Sequence, residues 1–374
     1  MQDDLVDLRS FGWDEFFQNA FEPYGRRDHV PGRIAREHRG MYQILTGRSE
    51  LSGRLSGRLR YESAGRKDLP AAGDWVAVRP RHNEGTATIV GVLPRKSQFV
   101  RRAAGEKTEV QILAANVDTV FLMMALNSDF NLRRLERYLV MARKSGARSA
   151  VVLSKSDLCS DPENEFAEVA ALATGVPVHV VSVVEQTGLG ALRHYFAPGK
   201  TVALLGSSGV GKSTLINYLA GHELQKTREV REHDGRGQHT TTSRQLILLP
   251  GGGLVLDTPG MRELQLWDPS DIPAGNARQA VQPPTIDNTF SDIAYLASQC
   301  YYRNCGHDGE PGCAVQTALQ AGLDPARLRS YQKLQKELRY QQRRQDKAAN
   351  LKEKMKWKKL CRMAREKAAA KRRG

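Results

Sequence analysis

Gly206-Ser207-Ser208-Gly209-Val210-Gly211-Lys212-Ser213-Thr214 is the stretch from which the rest of the chain can be read. An apolar run, Thr201-Val202-Ala203-Leu204-Leu205, leads into it, and Leu215-Ile216-Asn217-Tyr218-Leu219-Ala220 follows with helical spacing. Strand, glycine-rich loop and helix are the context that the G-x-x-x-x-G-K-[ST] pattern requires. The glycines let backbone N–H groups turn inward around phosphate oxygens, and the helix N-terminus adds the positive end of its dipole. Lys212 is placed to reach the β- and γ-phosphates, and the Ser213 hydroxyl to ligate Mg²⁺. The stretch implies a nucleoside triphosphate but says nothing about the base.

At 374 residues the chain is long enough for two or three cores. Its longest apolar run, Val120 to Leu126, has strand length, so no membrane span is expected. The acidic start, Met1-Gln2-Asp3-Asp4, does not read as a secretory signal, and five cysteines do not read as a disulfide framework. Both point to a cytoplasmic protein. The net charge of +15 is unevenly placed. Ala326 to Gly374 carries 19 Lys/Arg against 4 Asp/Glu, and Arg26 to Lys107 carries 18 against 8. Two basic ends around a mildly acidic middle imply a polyanionic partner, with nucleic acid ahead of a membrane surface.

Phe11, Trp13, Phe16, Phe17 and Phe21 suggest a short docked helix within residues 1–25. Over 26–107 the texture is of short strands with glycine or proline punctuation: Met41–Leu45, Gly53–Arg60, Asp74–Val78 and Ala87–Leu93. That spacing predicts a small barrel, either an OB-type oligonucleotide binder or a structural barrel with solvated charges. From 108 to 275 strand and helix alternate. Thr119–Leu126 is a buried strand, Asp129 or Asn131 caps a helix bearing Leu132, Leu135, Leu139 and Ala142, and Ser149–Leu153 is the next strand. A helix (Glu163–Ala173), a strand (Val176–Val183) and a short helix (Leu189–Phe196) lead to the glycine-rich loop. Gln245–Leu249 and Leu254–Asp257 around Pro250-Gly251-Gly252-Gly253 predict a hairpin that adds an antiparallel edge. The middle of the chain is therefore expected to be a doubly wound α/β sheet.

Ligands of such sheets bind beyond the carboxyl ends of the strands. Four tips there carry polar motifs: Ser154-Lys155-Ser156-Asp157, Ser182, the glycine-rich loop, and Asp257-Thr258-Pro259-Gly260. Together they resemble the signatures of translation-type GTPases, [NT]-K-x-D for guanine, the P-loop, a switch threonine and D-x-P-G. Here the base motif precedes the phosphate loop, as in a circularly permuted GTPase. Gly237-Gln238-His239-Thr240-Thr241, the barrel before and a Cys/His cluster after make residues 30–345 similar to the RsgA (YjeQ) family of ribosome small-subunit-dependent GTPases.

The resemblance implies GTP as substrate, Mg²⁺, one structural zinc, and a monomer that binds the 30S subunit and its rRNA late in subunit maturation. Asp157 would accept two hydrogen bonds from the guanine edge, which adenine does not offer in that arrangement. Ser154 departs from the usual Asn or Thr. Asp257 would hold Mg²⁺ through a water, the Gly260 N–H would meet the γ-phosphate, and Thr241 (or Thr240 or Thr242) would join Ser213 on the metal. Met261 stands where many small GTPases carry a water-orienting glutamine, so slow intrinsic turnover is expected, with His239 or the partner supplying what is missing. An ATPase or small-molecule kinase, and a zinc-dependent RNA binder whose nucleotide only locks the fold, are the competing classes.

Cys300-x₄-Cys305-x-His307-x₅-Cys313 places three thiols and one imidazole within fourteen residues, among Gly306, Gly309, Pro311 and Gly312. That donor set suits a closed four-coordinate zinc site in a helical domain over 276–345. Leu328, Tyr331, Leu334 and Leu338 mark a helix face there. The basic tail, 346–374, reads as an arm ordered by RNA or, alternatively, a membrane-surface helix.

Overall fold

The computed structural model describes residues 7–25, 28–63, 65–102, 110–224, 245–257 and 286–340. The Gly237–Thr242 motif, Gly260, Met261 and the basic tail lie outside them. The described residues fall into two compact units, the first running to Asp257 with 286–289 and the second spanning 290–340.

In the first unit, β1 (Val30–His38), β2 (Met41–Thr46), β3 (Glu50–Leu55), β4 (Trp75–Arg81) and β5 (Thr86–Val92) close a barrel. β1 pairs with both β2 and β4, β3 runs parallel to β5, and β5 pairs with β4, so no strand edge is left open. Alternation drives this closure. In β5 every second residue is buried, and Ile34, Ile44, Leu51, Val76, Val78 and Ile89 meet in the barrel core. The strand expected over Gly53–Arg60 is only half realised. β3 stops at Leu55, and Gly57–Glu62 forms a one-and-a-half-turn helix capped by the Ser56 hydroxyl, which accepts from the Leu59 N–H at 3.1 Å. A serine N-cap outweighs the strand-like alternation of that stretch.

The second layer of the unit is built on β8 (Thr119–Ala125), β9 (Arg148–Ser154), β10 (Val178–Val180), β11 (Thr201–Gly206) and β13 (Leu254–Asp257), all mutually parallel. β8 and β11 are buried at every position, as expected for parallel strands covered on both faces. α3 (Leu132–Ser145) is capped by Asn131 and ended by Gly146 in the left-handed region; it buries Leu135, Leu139 and Ala142. α4 is Pro162–Leu172, Leu189–Phe196 is a 3₁₀ segment, and α5 is Lys212–Ala220. Phe121, Val152, Leu192, Val202, Leu204, Leu215 and Val255 form the common core.

The hairpin arm β12 (Gln245–Leu248) is antiparallel to β13, but it is not a bare edge. A bulge between Ile34 and Arg36 bends β1, and Arg36 pairs with Gln245. Barrel and α/β sheet thus form one eleven-stranded sheet in the order β10-β9-β8-β11-β13-β12-β1-β2-β3-β5-β4. A separate two-stranded ribbon, β6 (Gln98–Arg102) and β7 (Val110–Ala115), connects them along the chain.

Arg33 reinforces the join. It is one of the basic residues of the barrel segment, yet only 1% of it is exposed. Its guanidinium donates to the Phe11 carbonyl, to Gly73 O at 3.3 Å, Asn116 O at 3.1 Å and Thr201 Oγ1 at 2.8 Å, and lies over the Trp75 ring. Burial pushes its pKa down to about 10, with Asp118 and Asp74 opposing, so it stays charged at neutral pH. One side chain therefore ties the N-terminal segment with α1 (Glu15–Phe21), the barrel and the base of β11. Arg33→Ala strands those acceptors and is expected to cost about 3–5 kcal/mol. In a unit of this size that is roughly a 10 °C fall in melting temperature, measurable by calorimetry.

Candidate nucleotide site and metal centre

Because β8, β9, β10, β11 and β13 run parallel, their carboxyl ends share one edge of the sheet. β11 ends at Gly206 and α5 begins at Lys212. Two glycines of the intervening loop have geometric reasons. A Cβ at Gly206 would come within 2.7 Å of Met123 O, and Gly211, the N-cap of α5, has φ +96°. Lys212 Nζ donates to Gly206 O at 2.9 Å and Ser207 O at 2.6 Å, which folds its stem back over the loop. The resulting concavity of backbone N–H groups, helix N-terminus and ammonium is suited to an anion.

The base motif sits one strand beyond β8. Lys155 is in the left-handed region at φ +59°, a turn that sends the chain from the end of β9 into the Ser156–Leu158 3₁₀ segment. Ser182 is fully buried after β10, and its hydroxyl donates to Asp157 Oδ1 at 2.5 Å. The same Ser182 oxygen accepts from the Glu185 N–H at 3.1 Å. Asp157 and Ser182, 25 residues apart in sequence, are thus brought together and the carboxylate is oriented. Ser154 is 4% exposed, and its hydroxyl donates to Val210 O at 2.6 Å. The serine links the base motif to the phosphate loop through the loop's backbone. Asp257, 8% exposed, ends β13 next to β11. Ser213 lies in the first turn of α5. His239, Thr241 and Gly260 lie outside the described residues.

One residue at this edge is absent from the four motifs. Asp129, in the loop after β8, accepts a hydrogen bond from Ser207 Oγ. Its sequence signal was the same as for the others, a polar residue just past a buried strand, but it competes with Asn131 as a helix cap. Asn131 is the cap, accepting from the Arg134 N–H at 2.9 Å.

The second unit holds the Cys/His cluster. α6 (Ser291–Ser298) runs into Cys300, tight turns place Cys305 and His307, and Cys313 is the N-cap of α7 (Ala314–Gln320). A further helix spans 325–340. His307 has φ +62°, which turns Nδ1 toward the sulfurs while Gln316 donates to its carbonyl. The four ligand atoms lie within 4.8 Å of one another. Cys300 Sγ to Cys313 Sγ is 3.8 Å, and His307 Nδ1 is 3.7 Å and 3.5 Å from those two sulfurs. A tetrahedron with Zn–S of about 2.3 Å and Zn–N of about 2.0 Å has edges of about 3.8 and 3.5 Å. The cluster fits zinc, with all four positions supplied by protein. Around it, Phe290, Ile293, Val315, Leu328, Tyr331 and Leu334 are buried.

Parallel strands with a glycine-rich loop between β11 and α5, a Ser154–Asp157 tip that precedes it in the chain and is tied to Ser182, and Asp257 at the next tip have the arrangement of a circularly permuted P-loop GTPase. The solved structure of YjeQ from Thermotoga maritima superposes with a TM-score of 0.58 at 25% identity, covering 82% of this chain and 97% of that one. YloQ, solved and described as a circularly permuted GTPase, shares the fold with a TM-score of 0.57 at 24% identity over 84% and 97% of the two chains. In sequence, residues 92–267 match the RsgA GTPase family. The small ribosomal subunit biogenesis GTPase RsgA of Opitutus terrae is 46% identical over 364 residues, 95% of this chain and 96% of its own. Its counterpart in Syntrophotalea carbinolica is 42% identical over 341 residues, 89% and 90% of the two. The chain belongs to the RsgA family and is a GTP-hydrolysing enzyme.

Proposed function

We propose that this GTPase binds the small ribosomal subunit and hydrolyses GTP to GDP and phosphate late in 30S maturation, with the barrel and the Cys/His unit contacting rRNA. The observation that carries the reading is 46% identity along 95% of the chain to a small ribosomal subunit biogenesis GTPase. The charge distribution supports it, and so does the short barrel helix α2 (Gly57–Glu62), where Tyr61 is 92% exposed beside Arg58 and Arg60. An exposed aromatic among cations is suited to stacking on an RNA base.

Within the site, Asp157, oriented by Ser182, reads the guanine edge, with the Lys155 stem over the base and Ser154 bracing the loop. Gly206 to Thr214 cradle the phosphates, Ser207, Ser208, Gly209 and Val210 through backbone N–H groups and Lys212 through its ammonium. Ser213, Thr241 and Asp257 would hold Mg²⁺, which would supply positive charge to offset that on the phosphates. The Gly260 N–H meets the γ-phosphate, and His239 or the bound subunit orients the attacking water. Cys300, Cys305, His307 and Cys313 hold a structural zinc. The protein acts as a cytoplasmic monomer, and no helix among the described residues is long and apolar enough to cross a membrane.

The test is GTP hydrolysis with and without purified small subunits over a salt series. Hydrolysis is expected to be slow alone and stimulated by the subunit. If six or more phosphate contacts form, the subunit's apparent affinity should fall about 10³-fold between roughly 50 and 200 mM salt. Fast turnover that small subunits do not change would overturn the reading.

A further inference from the structure

We propose that Asp129 and Arg134 form a charge-balanced brace that positions the phosphate loop and sets how strongly it discriminates between GTP and GDP. The proposal rests on reading Gly206–Thr214 as the phosphate cradle. Its observations come from the loop after β8 and the first turn of α3.

β8 and β11 are adjacent and parallel, with Met123 opposite Gly206, so the loops leaving them depart side by side. Asp129 Oδ2 accepts from Ser207 Oγ, and Asp129 Oδ1 is 2.9 Å from Arg134 Nη2. Arg134 also donates to the Asp129 carbonyl, and the Asp129 N–H donates to Asn127 Oδ1 at 2.9 Å. Asp129 is therefore held at one carboxylate oxygen, at its carbonyl and at its N–H before its second carboxylate oxygen touches the phosphate loop. Ser207 is gripped twice, at its hydroxyl by Asp129 and at its carbonyl by Lys212, 2.6 Å away. These two contacts fix the first residue of the loop after the strand, the point from which the following N–H groups take their direction.

A carboxylate here is costly by itself. It stands one serine side chain from a loop built to collect a polyanion, and like charges at such range repel. Arg134 cancels that charge while leaving the second carboxylate oxygen on Ser207. Both side chains are about 30% exposed, 31% for Asp129 and 28% for Arg134, so solvent screens the pair in part. The brace therefore acts by position and the guanidinium by neutralisation. The two functions separate under mutation, because a neutral acceptor can keep the first without needing the second.

The measurement is dissociation constants for GTP and GDP by displacement of a fluorescent guanine nucleotide from the full-length protein, at low and high salt, with melting temperatures alongside. Arg134→Ala is expected to weaken GTP about tenfold and GDP less, because the triphosphate carries the larger charge, and the loss should shrink at high salt. Asp129→Asn, which keeps an acceptor for Ser207 and removes the charge, should bind GTP within about twofold of the parent. Asp129→Asn combined with Arg134→Ala should recover most of what Arg134→Ala loses. An Arg134→Ala loss equal for GTP and GDP, insensitive to salt and not relieved by Asp129→Asn, would show a purely structural role and overturn the proposal. Lys212→Ala is the control for the underlying reading. If it binds GTP like the parent, the phosphate site has been misplaced. If it loses GTP while Arg134→Ala does not, the site stands and the brace fails.

Discussion

Asp157→Asn is expected to turn a guanine-specific enzyme into one that prefers xanthine nucleotides. A carboxylate accepts from both the N1–H and the exocyclic amine of guanine. Its amide counterpart can accept at only one position and presents N–H donors at the other, where guanine also offers a donor. Two donors then face each other in a site shaped to pair them, a mismatch that costs polar sites on the order of 10⁴-fold in selectivity. Xanthine carries a carbonyl in place of the amine, so the amide regains its partner. Ser182 makes the test sharper. Its hydroxyl donates to Asp157 Oδ1 at 2.5 Å, leaving that oxygen's second lone pair and Oδ2 for the base. In the Asp157→Asn variant the amide oxygen would still accept from Ser182 and from the N1–H, leaving the NH₂ toward the exocyclic position. Competition of GTP, XTP and ATP for the same labelled nucleotide checks the prediction. Unchanged GTP binding in Asp157→Asn would remove Asp157 from the base site.

Removing the proposed zinc is expected to have an equally large effect, confined to the second unit. Three thiols and an imidazole within 4.8 Å of one another contribute little without an ion to hold them, and the proposed zinc would supply binding free energy on the order of 10 kcal/mol. The core that remains is small. Phe290 packs on Tyr331 with ring centroids 5.4 Å apart, and Arg327 pairs with Asp292 at 2.8 Å. Chelation, or Cys313→Ser, should release amide protection across 290–340 by more than about a hundredfold while leaving β8 and β11 protected. Hydrogen exchange followed by mass spectrometry distinguishes the two regions. Protection that survives complete removal of zinc would make the cluster four ordinary side chains.

The phosphate loop and the Cys/His cluster were legible in the sequence because each is constrained locally. Gly206 has no room for a Cβ and Gly211 needs a positive φ, while the cluster packs its four ligands into fourteen residues. The parallel strands were legible for a related reason, since burial on both faces leaves an uninterrupted apolar run such as Thr119–Ala125. What was hidden depends on distant partners. Arg33 counted with the basic surface of the barrel segment, and only the approach of Phe11, Asn116 and Thr201 makes it an interior residue. Asp129 read only as a possible helix cap, and its contact with Ser207 shows once β8 and β11 are known to be neighbours. Ser154 stood out only as a departure from the usual Asn or Thr; its hydroxyl, 2.6 Å from Val210 O, ties the two loops together. The helix over Gly57–Glu62 was lost to strand-like spacing because one capping hydroxyl decided the matter.

The pairing of Arg36 with Gln245 also bears on how the chain avoids its own copies. An unpaired strand side invites a strand from another molecule, and newly made proteins are most exposed to that hazard. Here the barrel closes on itself, and the hairpin arm beside β13 is met by β1 where it begins. Within the eleven-stranded sheet, the terminal strand left without a second neighbour among the described residues is β10, only three residues long. So short a template gives a growing aggregate little to add to.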